Sequence, residues 1–378
     1  MTHPHPHDLG RGLAGTMLLH GITARTPNDR AQLRATAKAL AHTPVSTADA
    51  SLYQDLPAVA YALSTCADSI FEAAVRKADP QIAVLAKERL AAAHRRIDEG
   101  STPPRTWEYD LISGLSGYGA YFLHRQQDPE TLHDVLRYLV RLLEVPVTVA
   151  GRPLPGWWSA NPPDSRESEG RANLGLAHGV AGPVALLALA ARAGHTVPGQ
   201  KEALQYACHL LAGWRVAPPD SDAPGWPETL TLAEWRAGKP SATVPGRPSW
   251  CYGTPGIARA LQLAALAVRS PDHQQLAETT FWACLNDDRQ IDRLTDLTVC
   301  HGWAGLLLTA DRIAADAADH PKARLAELKE SFAFGARERA SPPTPGLLTG
   351  DDGIQLAQRT LDVCDPVDPG WQTCLLLT

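Results

Sequence analysis

The feature that most constrains this chain is a repeated glycine pair. A G-x-x-G followed by an Ala/Leu-rich helical pattern stands at Gly12/Gly15, Gly114/Gly117, Gly179/Gly182, Gly253/Gly256, Gly302/Gly305 and Gly350/Gly353. A degenerate seventh copy lies in Ser51-Leu52-Tyr53-Gln54-Asp55-Leu56-Pro57-Ala58, where Asp55 and Ala58 replace the two glycines. Glycine at a helix start lets two backbones approach closely. A series of such approaches is what helices packed tightly around a common axis require.

Longer amphipathic stretches lie between the copies. Thr26-Pro27, Asp79-Pro80, Asp128-Pro129, Ser270-Pro271 and His320-Pro321 each put Pro at a first helical position, four of them behind a residue able to cap. Gln200 to Trp214 supplies one more. Inner and outer helices therefore alternate, which predicts an all-α chain: an α/α toroid, a double ring of inner and outer helices built from seven G-x-x-G helical repeats, with the inner helices lining a cavity. Composition agrees, because 44% hydrophobic content with only 5 Phe and 8 Tyr favours helices on helices over a β-rich core. Seven inner helices find six outer partners, since the eight residues before Leu9 leave no room for a helix. Either irregular chain closes the ring or an N-terminal outer helix is absent.

Residues 9–378 are expected to form a single toroid domain behind a leader, 1–8. In that leader His3, His5 and His7 alternate with Pro4 and Pro6. Proline blocks the helical spacing that would converge the rings, so the leader is expected to be disordered, with a metal-binding tail as the alternative. Two proline-rich connections, Gly151 to Gly170 with Trp157-Trp158 and Val216 to Pro248 with Trp226 and Trp235, lack helical periodicity. They are expected as rim loops of the cavity near 151–170 and 216–248, or else as solvated insertions.

A net charge of −6 gives no electrostatic footprint for nucleic acid. No apolar run reaches the roughly 18 residues that span a bilayer, and the start lacks the basic and apolar regions of a signal peptide. Seven scattered cysteines fit reduced thiols better than a disulfide framework. The chain is expected to be cytoplasmic.

Aligning the copies on their first glycine brings the chemistry into register. Cys251 and Cys300 stand two residues before it, and His178, Tyr252 and His301 stand one before it. Equivalent positions of successive repeats fall on one rim of a toroid, so these residues converge. Zinc prefers thiolate and imidazole in tetrahedral array, and a catalytic site keeps one position open. Cys251, Cys300 and His301 are three candidate ligands, with two buried cysteines as the plainer alternative. Cys208-His209, inside an outer-helix pattern with no glycine turn, is read as core. Trp250 and Trp303 are read as cavity wall.

At these residues the chain resembles the lanthionine synthetase C-like cyclases of lanthipeptide biosynthesis. The resemblance is carried by Asp110-Leu111-Ile112-Ser113-Gly114-Leu115-Ser116-Gly117, Leu176-Ala177-His178-Gly179-Val180-Ala181-Gly182, Arg247-Pro248-Ser249-Trp250-Cys251-Tyr252-Gly253-Thr254-Pro255-Gly256 and Cys300-His301-Gly302-Trp303-Ala304-Gly305, and it runs through all seven copies. It implies an α/α toroid binding one Zn2+ through Cys251, Cys300 and His301. It implies a cyclase that adds a peptide cysteine to dehydroalanine or dehydrobutyrine, forming (methyl)lanthionine thioether rings. In that chemistry metal coordination strips the proton from a thiol whose ordinary pKa is about 8.5. The resulting enolate then needs a proton donor. His178 matches the family's active-site histidine, Asp110 an aspartate able to orient it, and Arg247 an arginine able to stabilise enolate charge; Tyr252 is read as a further donor near the oxyanion.

The partner implied is a dehydrated precursor peptide. The chain has no dehydratase-sized region, so a separate dehydratase is needed, and an exporter would follow. Two other readings stay open. A zinc-dependent thiol alkyl or prenyl transferase would want more than 6% aromatic residues in its cavity. A non-catalytic, zinc-stabilised peptide-binding scaffold would want a closed four-ligand shell.

Overall fold

Each copy of the glycine pair, the degenerate one included, opens a helix. In the computed structural model, which describes residues 5–66, 69–160, 169–218, 223–241, 245–319, 321–338, 343–362 and 366–378, these helices are α1 (Leu13–Thr23), α3 (Asp55–Ser64), α6 (Leu115–Arg125), α8 (Ala181–Arg192), α11 (Thr254–Val268), α14 (Trp303–Asp316) and α16 (Asp351–Leu361). Each packs against the next, and α16 packs back on α1, so the inner ring closes. Outside it lie α2 (Pro27–Ala41), α4 (Glu72–Glu99), α7 (Pro129–Glu144), α9 (Gln200–Gly213), α12 (Pro271–Asn286) and α15 (Lys322–Arg337), each against the inner helix that precedes it. The fold is the expected α/α toroid.

The two rings differ in how they are buried. Thr254 to Ala265 of α11 is buried on every side, whereas α2 buries only Leu33, Thr36 and Leu40. An all-round apolar helix belongs to a core and an amphipathic one to a surface. Fully burying each inner leucine contributes roughly 1.5–3 kcal/mol before entropy is counted.

The glycines act as expected. A Cβ on Gly305 would overlap the carbonyl oxygen of Val299 and press on the Trp250 side chain. Gly253 carries φ +94°, and a Cβ there would overlap the Arg247 carbonyl.

The ring closes directly, α16 on α1, and its axis is occupied. Trp371 to Leu377 is buried. Tyr61 Oη donates to the Trp371 carbonyl at 2.8 Å and Tyr53 Oη to that of Cys374 at 2.7 Å, both from the α3 side. From the α11 side, Trp250 Nε1 donates to Leu375 O at 3.0 Å and Arg259 Nη2 to Leu377 O at 2.7 Å. The 3-10 helix Pro369–Leu375 also packs on α6. One segment reached from several sides of a ring lies inside it. Trp250 is therefore a core residue that ties this segment down, and neither it nor Trp303 lines the thiol cavity described below.

Three further expectations need correction. Residues 1–4 of the leader lie outside the described residues, but 5–8 are packed, not disordered: His7 is fully buried, and Asp55 N donates to the His7 carbonyl at 3.1 Å. Pro80 does not open an outer helix. It lies inside α4, and Asp79 spends its carboxylate on Tyr121 Oη at 2.6 Å and Arg125 Nη2 at 2.9 Å instead of capping.

The third concerns the rim loops. Of these, 161–168, 219–222 and 242–244 lie outside the described residues. The rest holds an antiparallel ribbon of β1 (Val147–Val149) with β2 (Arg152–Leu154), and a second in which β3 (Arg171–Asn173) pairs with β4 (Thr229–Thr231). Short helices α5 (Thr106–Tyr109), α10 (Leu232–Ala237) and α13 (Asp288–Ile291) complete the elements. Trp157, Trp158 and Trp226 are buried, and none of the described loop residues lines the thiol cavity. Among the loops' described residues, the Glu228 carbonyl accepts Leu174 N at 3.0 Å in the turn before α8.

Candidate active site

Seven residues stand two places before the first position of each pair: Gly10, Tyr53, Ile112, Ala177, Cys251, Cys300 and Leu348. Their loops are stitched edge to edge by backbone hydrogen bonds. Leu9 N donates to Tyr53 O, Leu347 N to Leu9 O, Cys300 N to Leu348 O, Cys251 N to Cys300 O, Ala177 N to Cys251 O and Leu111 N to Ala177 O, at 2.9 to 3.2 Å. Between the second and third copies a side chain makes the join. Arg89 of α4 donates to Ser113 O at 2.6 Å and to Ala50 O at 2.9 Å.

Six of these seven residues border a cavity of about 250 Å³ that also exposes His178. Larger hollows exist, one of about 550 Å³ beside Leu154 and Tyr206, but they hold none of the candidate ligands.

Cys251, Cys300 and His301 bring one ligand atom each within 4.8 Å of one another. The three donors act on one another through this proximity. Cys300, ahead of His301, holds the Cys251 thiol below its ordinary range, while Cys251 and burial push Cys300 up. Cys251 likewise raises His301 against burial. Two thiols with an imidazole as third neighbour make a soft donor set that matches zinc.

His301 has a partner the sequence reading missed. Its Nε2 lies 3.4 Å from Asp296 Oδ2, and Asp296 Oδ1 accepts Thr298 N at 2.8 Å and Thr298 Oγ1 at 2.6 Å. A carboxylate on one ring nitrogen fixes which nitrogen is left to bind a metal. The signal was available: Asp296 stands six residues before Gly302, where Asn173 and Arg247 stand before Gly179 and Gly253.

His178 Nδ1 lies 2.6 Å from Asp110 Oδ2, and Asp110 is 1% exposed. Its other oxygen accepts Ser113 N at 2.7 Å, so the carboxylate is held at both ends. Burial opposes charge on His178, but the hydrogen bond and charge of Asp110, with Cys251 behind, outweigh it and raise the imidazole pKa. Tyr252 accepts from Asn173 Nδ2 at 3.2 Å, and its ring lies 6.3 Å from that of His178. Burial pushes its phenol up, so its own proton stays available. Arg247 lies close enough for its charge to lower both Cys300 and His301, and its Nε is buried without a hydrogen-bond partner. Of the residues singled out from sequence, His178 and Cys300 face the cavity, while Cys251, His301, Tyr252 and Arg247 do not line it. Of Cys208-His209, read as core, Cys208 is buried within α9 and burial pushes its thiol up to about 12, but His209 is exposed, because the next position along a helix turns away from the buried face.

The sequence matches the family described as "Lanthionine synthetase C-like protein" over residues 3–376. It is 29% identical over 216 residues to the nisin biosynthesis protein NisC of Lactococcus lactis subsp. lactis, which covers 55% of this chain and 49% of that protein. The chain thus spans about half the length of this curated relative. The solved structure titled "Nisin cyclase" superposes with a TM-score of 0.81 at 21% identity, covering 98% of this chain and 92% of that one, which is a likeness of fold.

Proposed function

The chain belongs to the lanthionine synthetase C-like family, and from that premise we propose that it is a lanthipeptide cyclase, adding a cysteine thiol to a dehydroalanine or dehydrobutyrine of the same peptide. The observation that carries this reading is that Cys300, beside the Cys251 and His301 donors, and His178, held from behind by Asp110, face one small cavity. The residues from 9 onward, with 5–8 packed on them, are read as one domain.

Cys251, Cys300 and His301 would hold the zinc ion, whose chemistry there is to lower the pKa of an incoming thiol. The sulfur of the peptide cysteine bonds to the alkene β-carbon, and the alkene pair moves onto the adjacent carbonyl as an enolate. His178, kept protonated by Asp110, delivers a proton to the α-carbon. The proton lost by the thiol balances the one gained, so no co-reactant is consumed. Arg247 brings an unmatched N–H donor and positive charge towards the enolate, and Tyr252 a phenolic proton, as fixed donors do where negative charge develops. Tyr53, Ile112, Ala177 and Leu348 give the cavity apolar wall, where these interactions are stronger than in water, while Asp8 and Arg11 also line it.

The substrate on this reading is a dehydrated precursor peptide. Its dehydration falls to a separate dehydratase, and an exporter acts afterwards. Reduced thiols at the site suit the cytoplasm, and no helix among the described residues is long and apolar enough to cross a membrane.

The test is to incubate the purified protein with a dehydrated, cysteine-containing precursor and follow loss of alkylatable thiol by mass spectrometry. Wild type should consume the thiol. A Cys300→Ala protein of equal helicity that does so at the same rate would end the proposal.

A further inference from the structure

A second set of ligand atoms converges away from the thiols. His5, His7 and Asp55 each bring one within 4.8 Å of the others. His7 Nδ1 is 3.6 Å and His5 Nδ1 3.9 Å from the same oxygen, Asp55 Oδ1. The His7 side chain is fully buried, that of Asp55 is 4% exposed and that of His5 is 44% exposed.

The tautomer of His7 follows from its neighbours. Its Nε2 lies 3.0 Å from the Leu40 carbonyl, which can only accept, so Nε2 carries a proton. For a neutral ring, Nδ1 is then a lone pair. That lone pair is buried, has no hydrogen-bond partner and faces a carboxylate oxygen. Two acceptors held face to face in a buried spot call for a positive group between them. Bonds of roughly 2.0–2.2 Å set tetrahedral ligand atoms about 3.3–3.6 Å apart; the buried His7–Asp55 pair stands at that separation, and the more exposed His5 must close in by a few tenths of an ångström from 3.9 Å.

Asp55 reaches this spot from a backbone that side chains seldom adopt, φ +60°. It stands where the six regular copies carry their first glycine. A conformation of this kind persists where its surroundings demand it. The contacts already made are weak competitors. His5 Nδ1 accepts His7 N at 3.3 Å, a long contact that an ion would replace, and Asp55 Oδ1 accepts Ser46 N at 3.3 Å through its other lone pair.

The geometry points to a second metal site, in which His5, His7 and Asp55 bind one divalent ion of the zinc class with water completing the shell. Two imidazoles and a carboxylate with no thiolate form a harder set than the cysteine cluster, one that zinc accepts. The ion is a staple. It fastens the strand ahead of α1 to the second copy, the one that has lost its glycines. Asp8 and Gln54, each next in sequence to a ligand, line the thiol cavity, so the staple also sets one wall of it. This site does not depend on the cyclase reading.

The test uses the full chain without an affinity tag, stripped of metal under reducing conditions, titrated with Zn2+ and desalted, with zinc per chain read by plasma mass spectrometry. A parallel Co2+ titration reports the cysteine cluster alone through its thiolate charge-transfer band. Wild type should retain two equivalents. His5→Ala, a change at an exposed side chain, should retain one with the charge-transfer band intact, and Cys251→Ala/Cys300→Ala should retain one without that band. A wild type that binds a single equivalent and shows the charge-transfer band, or a His5→Ala protein that binds as many equivalents as wild type, overturns the second site whether or not the cysteine cluster holds metal.

Discussion

The imidazole of His178 and the carboxylate of Asp110 are joined by a 2.6 Å hydrogen bond across 68 residues of sequence, from the turns of two neighbouring copies. The pair raises the His178 pKa above 6.5, so the imidazolium persists to higher pH and a rate that needs it falls as pH rises through the raised value. Asp110→Asn removes the charge that offsets burial. The alkaline limb of kcat against pH should move to lower pH, and an unmoved limb would mean that another group supplies the proton. Stability follows the same sign. The pair's contribution is complete below the unfolded pKa and fades as pH rises through the folded one. The difference between wild type and Asp110→Asn in urea midpoint should narrow in alkaline buffer.

Loss of the proton donor should be separable from loss of metal. His178→Asn is expected to lower turnover by about 10²–10⁴-fold, the usual range for a general acid. Zinc content, measured on the same sample, should not change, because His178 is not among the three converging ligands. A variant that loses zinc and turnover together would assign His178 to the metal instead.

Asp296 tests how the cysteine cluster is tuned. Asp296→Asn keeps the shape but not the charge beside His301 Nε2, and zinc affinity should weaken by about 10–100-fold. Competition against a chromophoric chelator would read this directly. Retention of full affinity would show that the 3.4 Å contact does not orient the ring.

Arg89 should matter to stability and not to metal binding. It donates to two backbone carbonyls at the junction where the loop-to-loop stitching gives way to a side chain. Hydrogen bonds from a charged donor contribute about 1.5–3 kcal/mol each, so losing both in Arg89→Met should cost about 3–6 kcal/mol in urea unfolding with zinc stoichiometry unchanged.

What could be read from the sequence follows from how sharply each feature is constrained. Close approach of backbones admits only glycine, so the repeat and its ring were legible at Gly305 and Gly353. Cys251, Cys300, His301 and His178 were legible because that register gave unlike residues a shared position. Asp296 was missed because its position varies from copy to copy, Pro6, Asp49, Glu108, Asn173, Arg247 and Thr344 standing in the others, so no shared residue type marks it. The start of α4 was misread because a capping Asp-Pro is also compatible with a helix interior when Asp79 has partners elsewhere. The packed state of His7 was missed because its partners, Leu40 and Asp55, lie on elements distant in sequence.

The segment Trp371–Leu377, held by Tyr53, Tyr61, Trp250 and Arg259, stoppers the axis of the ring. A stoppered ring cannot be threaded. On the cyclase reading, a peptide would reach Cys300 without passing along the axis of the ring. Successive rings on one peptide would then be set by which segment next reaches the cavity, not by sliding along a track through the ring.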